Sequence, residues 1–509
     1  MALEIRTSTK ILFSIIVTLI FLLFFEIGAR VFEYVYPDEI DIGIEVAEKK
    51  PGSFRIFLYG GSTVWGAPES RFGFVKQLAF WLDETHRAKP LEIINFAVKG
   101  EDSTFVRAMI DRTMRYDPDL LIVLSGHNEF LMDSLPEKGW REKVIYSFAL
   151  TRVLFKFKEG ISDNKNSLKI AFDLTSHTRR GIDRESEDFR SRVRNYQKNI
   201  KAIARTAGAN GVPLFFLTAP NNMADWPPVY KELEGYGPDY EAGISEAMDF
   251  LTRGRLTEAS ERVALLEDSF PNDAMLFFLK GRLKQARGDY AGASLLFKRA
   301  KEMDPIPWRV LSLFNETVRE AARGEKGVYL LDVFRLFEEN SVNGLIGFDL
   351  VADNCHPTPV GNALIAGGIF SLMKEHSLFV ERSMPRLSAG ESLKYFFKRT
   401  FKGSMRSGVE YDYILSNAKY TMKSPFYNFA ASKMYLDRAL ALDRSDWVVW
   451  ANLATISFFE GETARGIEEL EKAASLKGRP INAGDRANTP HLLDALKLRN
   501  ITAGPESGN

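Results

Sequence analysis

The stretch FRIFLYGGSTVWG, residues 54–66, runs apolar and β-prone up to two glycines, then sets Ser62 and Thr63 on a turn. A serine at the end of a buried strand, on a turn whose glycines permit backbone angles that other residues resist, projects its hydroxyl into the cleft above a sheet. The turn also leaves backbone N–H groups nearby, where they suit an oxyanion. By itself it equally suits a phosphate-binding loop or a strand-to-helix turn capped by Ser or Thr, although the Gly-Lys-Ser/Thr ending of a nucleotide P-loop is absent. A serine nucleophile needs a base, and the chain holds six histidines: His86, His127, His177, His356, His376 and His491. One stands in VADNCHPTPVGNALIAGGIF, where Asp353 precedes His356 by three residues on a loop that Pro357 and Pro359 break ahead of a helix. That spacing lets the carboxylate bind Nδ1–H while Nε2 faces the serine, with acid and base on one loop. The plainer alternative is an Asp that caps a turn beside a surface His.

Further polar groups fall where the same cleft would be. LSGHNEF places Asn128 as an amide donor after one apolar run, and NFAVKGEDS offers the backbone N–H of Gly100 after another. Taken alone, each is an ordinary turn. His127 reads as a packed or cleft-edge histidine that could line the site, and Cys355 as a small buried filler rather than a thiol nucleophile. APNNMADWPP, residues 219–228, brings Asn221 and Trp226 to a loop that either overhangs the cleft or merely connects elements.

These groups need a scaffold, and the hydrophobic pattern supplies one. Short apolar runs at 54–60, 91–98, 119–126, 212–220 and 327–333 predict strands, and amphipathic stretches such as FVKQLAFWLDETHR and FRSRVRNYQKNIKAIARTAG predict the helices between them. Near-continuous apolar strands separated by helices imply a parallel sheet covered on both faces, with ligands gathered at the carboxyl ends of its strands.

In order along the chain, GGST at Ser62, the glycine after the second strand at Gly100, GHNE at Asn128, and DNCHP at Asp353 and His356 resemble the motifs of the SGNH (GDSL-like) hydrolases. The resemblance runs from residue 54 to about 376, with one interruption. It implies an α/β fold with a flavodoxin-like parallel sheet, a triad of Ser62, His356 and Asp353, and an oxyanion hole from Ser62, Gly100 and Asn128. It implies no metal or organic cofactor. Two blocks depart from the common pattern, Gly-Gly-Ser-Thr for Gly-Asp-Ser and Gly-His-Asn-Glu for Gly-x-Asn-Asp. Neither change removes a catalytic group; both bear on substrate class.

The interruption is a helical segment, 243–305, with glycines at 254 and 288 and prolines at 271 and 305, each pair 34 residues apart. With Gly281, Ala293, Phe297 and Ala300 it resembles tetratricopeptide repeats, and ALALD at 439–443 and AASLK at 473–477 repeat the same spacing. Such hairpins offer a groove for a protein partner, or serve packing or self-association. At the N-terminus, ILFSIIVTLIFLLFF, residues 11–25, is uncharged and predicts a single-pass membrane anchor, since no small-x-small cleavage site follows it. Arg6 and Lys10 favour a cytoplasmic N-terminus, Arg30 weighs against it, and the expectation is a chain whose bulk lies outside the cytoplasm. The resulting division is an anchor and linker at 1–50, hydrolase parts at 51–242 and 306–385 around the insertion at 243–305, and a C-terminal helical region at 386–509.

Lys plus Arg equals Asp plus Glu at 67 each, so no global field draws the 509-residue chain to nucleic acid. The single cysteine excludes an internal disulfide framework and a Cys-rich zinc site. Three functions fit: a membrane-anchored, extracytoplasmic serine esterase acting on an acyl ester of a glycan or lipid, an O-acyltransferase modifying surface polysaccharide, and a non-catalytic assembly scaffold that uses its repeats.

Overall fold

The computed structural model describes residues 17, 21, 23–27, 46–85, 90–130, 181–230, 235–379, 385–401, 406–422 and 428–481. The chain divides into two compact units, 1–48 with 133–173 and 49–132 with 174–509, and the second holds every strand among the described residues and the candidate site residues.

Five strands, β1 (Phe54–Gly60), β2 (Leu91–Asn95), β3 (Leu120–Leu124), β4 (Leu214–Leu217) and β5 (Val328–Leu331), form one parallel sheet in the order β2-β1-β3-β4-β5. That is the flavodoxin-like order, whose topological switch point lies at the carboxyl ends of β1 and β3. Every residue of β3 is buried, as expected of a central strand covered on both faces, whereas β2 at the sheet edge is only half-buried. The strands are shorter than their apolar runs. β2 stops where Asn95 turns its side chain to donate to the Val64 carbonyl (3.0 Å) and accept from Ala97 N–H (3.0 Å). β4 stops where Ala219 N–H leaves the ladder for Asn315 Oδ1 (2.8 Å).

Helices follow the strands as the sequence predicts. A single helical turn, α1 (Ser62–Trp65), comes directly after β1, then α2 (Phe74–Thr85), α3 (Ser103–Thr113) and α4 (Glu187–Ala209). The inserted segment opens at Pro238, earlier than predicted, because proline suits a first helical position, and comprises α5 (Pro238–Thr252), α6 (Leu256–Glu267), α7 (Ala274–Ala286) and α8 (Tyr290–Met303). The doubly wound part resumes with α9 (Ser312–Gly324), α10 (Val333–Asn340) and α11 (Pro359–Glu375); α2 packs on α11, and α4 packs on α3 and α9. Five more helices complete the described chain: α12 (Ala389–Thr400), α13 (Arg406–Thr421), α14 (Phe429–Leu442), α15 (Trp447–Phe459) and α16 (Thr463–Lys477).

Within the helical segments, small residues set how closely neighbours approach. A Cβ on Gly281 of α7 would meet the Phe297 ring of α8 at 2.6 Å, and one on Gly466 of α16 would meet Phe458 of α15 at 2.9 Å. The predicted membrane span at 11–25 falls mostly outside the described residues. Those of it that are described, Val17, Phe21, Leu23, Phe24 and Phe25, are helical and exposed; among the described residues no helix is long and apolar enough to cross a membrane.

Candidate active site

Two glycines decide where Ser62 stands. A Cβ on Gly60 would lie 2.3 Å from the Leu124 carbonyl of β3 and 2.4 Å from Val64, so only glycine lets β1 turn this tightly against its neighbour. A Cβ on Gly61 would lie 2.6 Å from Asn128 Nδ2, so its absence brings the Asn128 amide beside the serine. Ser62 opens α1, and the first N–H groups of a helix have no intrahelical acceptor.

Its partners come from the loop between α10 and α11. His356 Nε2 lies 2.7 Å from Ser62 Oγ, and His356 Nδ1 lies 2.6 Å from Asp353 Oδ2. With the neutral ring's proton on Nδ1, donated to the carboxylate, Nε2 accepts from the serine hydroxyl. Asp353 is fully buried, and its other oxygen accepts the backbone N–H of Cys355 (2.9 Å) and of His356 (2.8 Å). The loop closes on itself through Ala352 N–H to the His356 carbonyl (2.7 Å), and Thr358 caps α11 behind it. Burial alone would depress the His356 imidazole, but the adjoining Asp353 carboxylate outweighs it and holds the ring well above its usual 6.5.

Ser62 shares a cavity with Gly61, Thr63, Glu101, Leu124, Ser125, Gly126, His127 and Asn128. Asn128 Nδ2 donates one hydrogen to the Glu101 carbonyl (2.8 Å), which orients the amide and leaves its second N–H to give. Gly100 takes a left-handed φ of 85° in the turn after β2. It is not among the residues lining this cavity, where its neighbour Glu101 stands instead.

His127 is buried, its Nδ1 accepts Val310 N–H (3.2 Å), and burial with the neighbouring His356 pushes it down to about 3, so the ring is neutral and its proton sits on Nε2. Cys355 is buried and its thiol is pushed up by that burial, which makes it inert as a nucleophile. Ligand atoms of Asp353, Cys355 and His356 lie within 4.8 Å of one another, but the carboxylate and both ring nitrogens are engaged along the serine–histidine–aspartate chain. Asn221 and Trp226 are both buried and lie off the cavity wall; Arg309, paired with Asp304 at 2.7 Å, donates to the Trp226 carbonyl (2.6 Å) and ties that loop down.

Glu129 carries a role that its place in the GHNE motif does not reveal. Its carboxyl accepts Ser103 N–H (2.9 Å) and Ser103 Oγ–H (2.8 Å), tying the loop that carries Asn128 to the start of α3. Burial first, and nearby Asp102 second, push it up to about 8, far above the usual carboxylate range.

No family model matches the sequence, and no curated protein matches it. Among solved structures, the chain is similar to LAE5, an alpha/beta hydrolase enzyme from the metagenome of Lake Arreo, Spain, at 14% identity and a TM-score of 0.31, over 64% of this chain and 96% of that one. It is similar to Axe2, an acetylxylan esterase from Geobacillus stearothermophilus, at 9% identity and a TM-score of 0.30, over 64% and 95%. It is also similar to a putative lipolytic protein of the G-D-S-L family from Desulfitobacterium hafniense, at 11% identity and a TM-score of 0.27, over 62% and 97%.

Proposed function

We propose that this chain is a membrane-anchored, extracytoplasmic serine esterase of the SGNH type that cleaves an acyl ester of a glycan or lipid through an acyl-enzyme. The observation that carries the reading is the unbroken chain from Ser62 Oγ to His356 Nε2 and from His356 Nδ1 to Asp353, at 2.7 and 2.6 Å, beside an oriented Asn128 amide. His356 takes the hydroxyl proton as Ser62 Oγ attacks the ester carbonyl. The oxyanion draws on the free N–H of Asn128 and the backbone N–H of Ser62; Gly100, which the sequence motif offered as a third donor, lies off the cavity wall and is left out of the proposed hole. His356 then returns its proton to the leaving alkoxide, which departs as the alcohol. Water, deprotonated by His356, attacks the acyl-Ser62 and releases the acid.

The exposed, helical Phe21, Leu23, Phe24, Phe25 and Ile27 support an N-terminal anchor, since large apolar side chains rarely face water together without a membrane or a partner. The helix pairs are proposed as tetratricopeptide-type units. The test is peptide mass mapping after brief mixing with a small activated acyl ester. An added acyl mass on the Ser62 peptide, decaying as the acid appears, is expected; ester turnover with no acyl on that peptide would refute the acyl-enzyme.

A further inference from the structure

The C-terminal helices share a core with the loop that carries Asp353 and His356. Ala352, fully buried and one residue before Asp353, packs in a single apolar cluster with Tyr413, Ile414 and Ala418 of α13, Tyr435 and Leu436 of α14, and Val449 of α15. Phe72, from the segment joining α1 to α2, belongs to the same cluster and meets the Tyr413 ring edge-on at 5.6 Å. At its centre the Tyr435 hydroxyl donates to the Ala352 carbonyl at 2.6 Å, with both residues almost wholly buried. That carbonyl belongs to the peptide unit whose nitrogen is Asp353's own, so the bond fixes the plane from which the Asp353 side chain departs. The other edge of this peptide's residue is already held, because Ala352 N–H bonds the His356 carbonyl.

A second brace reaches the same loop from the inserted helices. Arg282 of α7 pairs with Asp225 Oδ1 (3.1 Å), and Asp225 Oδ2 accepts the N–H of Phe348 (2.9 Å). The Phe348 ring in turn meets Tyr435 edge-on at 6.3 Å. Both helical segments therefore converge on residues 348–352, just ahead of the acid and base.

We propose that the C-terminal helices act in catalysis by positioning the Asp353–His356 loop through the Tyr435–Ala352 hydrogen bond, which makes Tyr435 a positioning residue. The inference rests on the esterase reading. In a triad, small displacements of the acid cost rate by turning the imidazole, while the substrate surface is unchanged. The loss belongs to kcat, with KM unmoved.

The experiment compares full-length wild type, Tyr435→Phe, Tyr413→Phe, Asp353→Asn and the Tyr435→Phe/Asp353→Asn double variant, solubilised in detergent, with a small chromogenic acyl ester. Tyr413 is the matched control, because its hydroxyl lies in the same core and makes no bond to the loop. Expected is a drop in kcat of roughly 10- to 100-fold for Tyr435→Phe with KM unchanged, against less than about 3-fold for Tyr413→Phe. In the Asp353→Asn background, Tyr435→Phe should cost little more, because the carboxylate it orients is gone. Equal kcat in Tyr435→Phe and wild type, equal losses in the two tyrosine variants, or fully additive losses in the double variant would each overturn the positioning role. Should Tyr435→Phe fail to fold, Phe348→Leu, which removes the ring that meets Tyr435 edge-on, replaces it, with a kcat loss at unchanged KM and the same non-additivity required. A wild type with no esterase turnover overturns the esterase reading, and this proposal with it.

Discussion

His356 can act as a base only when neutral, and Asp353 raises the pH at which that happens. The free enzyme's kcat/KM should therefore climb with pH along a limb whose midpoint lies above the ordinary imidazole value of 6.5. Asp353→Asn should move that limb down and cut the plateau by about 10⁴-fold, as loss of the orienting carboxylate does in other triads. A limb that stays put in the variant would separate Asp353 from the base. Asn128→Ala should lower kcat by roughly 10²- to 10³-fold, the usual loss of one oxyanion donor, with labelling of Ser62 still measurable; unchanged kcat would remove the amide from the site. Glu129 makes a different prediction, about stability. It binds its proton more tightly folded (about 8) than unfolded (4.5), so its contribution is full below 4.5 and is lost as pH rises through 8. Glu129→Gln should accordingly show a flatter profile of Tm against pH from about 5 to 8 than wild type, and parallel profiles would mean that the carboxyl is ionised. Much at this scale is legible in the sequence. Ser62, Asn128, Asp353 and His356 each sit at a strand end or within three residues of a partner, and local spacing reports such relations. Glu129 escapes notice there because a buried acid looks like an exposed one until its desolvation is visible.

The turn between β1 and α1 is the element on which the site depends. Gly61→Ala would drive a methyl against the Asn128 amide, whereas Gly60→Ala would drive one against the backbone carbonyl of Leu124, its partner in the sheet. The first variant should keep its Tm and lose esterase activity; the second should lose Tm by overpacking of about 1 to 3 kcal/mol. Thermal melts beside kinetics separate the two, and the reverse pattern would contradict the assignment of Gly61 to the site. Strand positions are readable because β1, β3 and β4 are apolar along most of their length, and the order β2-β1-β3-β4-β5 accommodates each in turn. Where the strands stop is not readable. Asn95 and Ala219 end them through side-chain bonds to Val64 and Asn315, which lie far off in sequence. Tyr435 is invisible for the same reason, since nothing within α14 marks one tyrosine as the partner of a loop before α11.

At the scale of the whole molecule, the helical segments do not stand apart from the α/β core. The insertion grips the loop after β4 through Arg282 and Asp225, and Lys301 of α8, deeply buried, donates to the Val310 carbonyl (2.8 Å) while Val310 N–H holds His127. The 34-residue spacing announces helix pairs but not what they lean on, because the partner surfaces are distributed over the chain. The apolar N-terminal helix should keep the full chain in the membrane pellet through an alkaline carbonate wash, and release into the supernatant would contradict an anchor. Whether an activated serine stands at the end of β1 is decided by the rate at which a fluorophosphonate probe labels the full-length protein, set beside Ser62→Ala and His356→Ala. Rapid, stoichiometric labelling of the wild type that disappears in both variants is expected; a folded wild type that does not label, or a Ser62→Ala variant that still does, would mean that Ser62 is not the nucleophile.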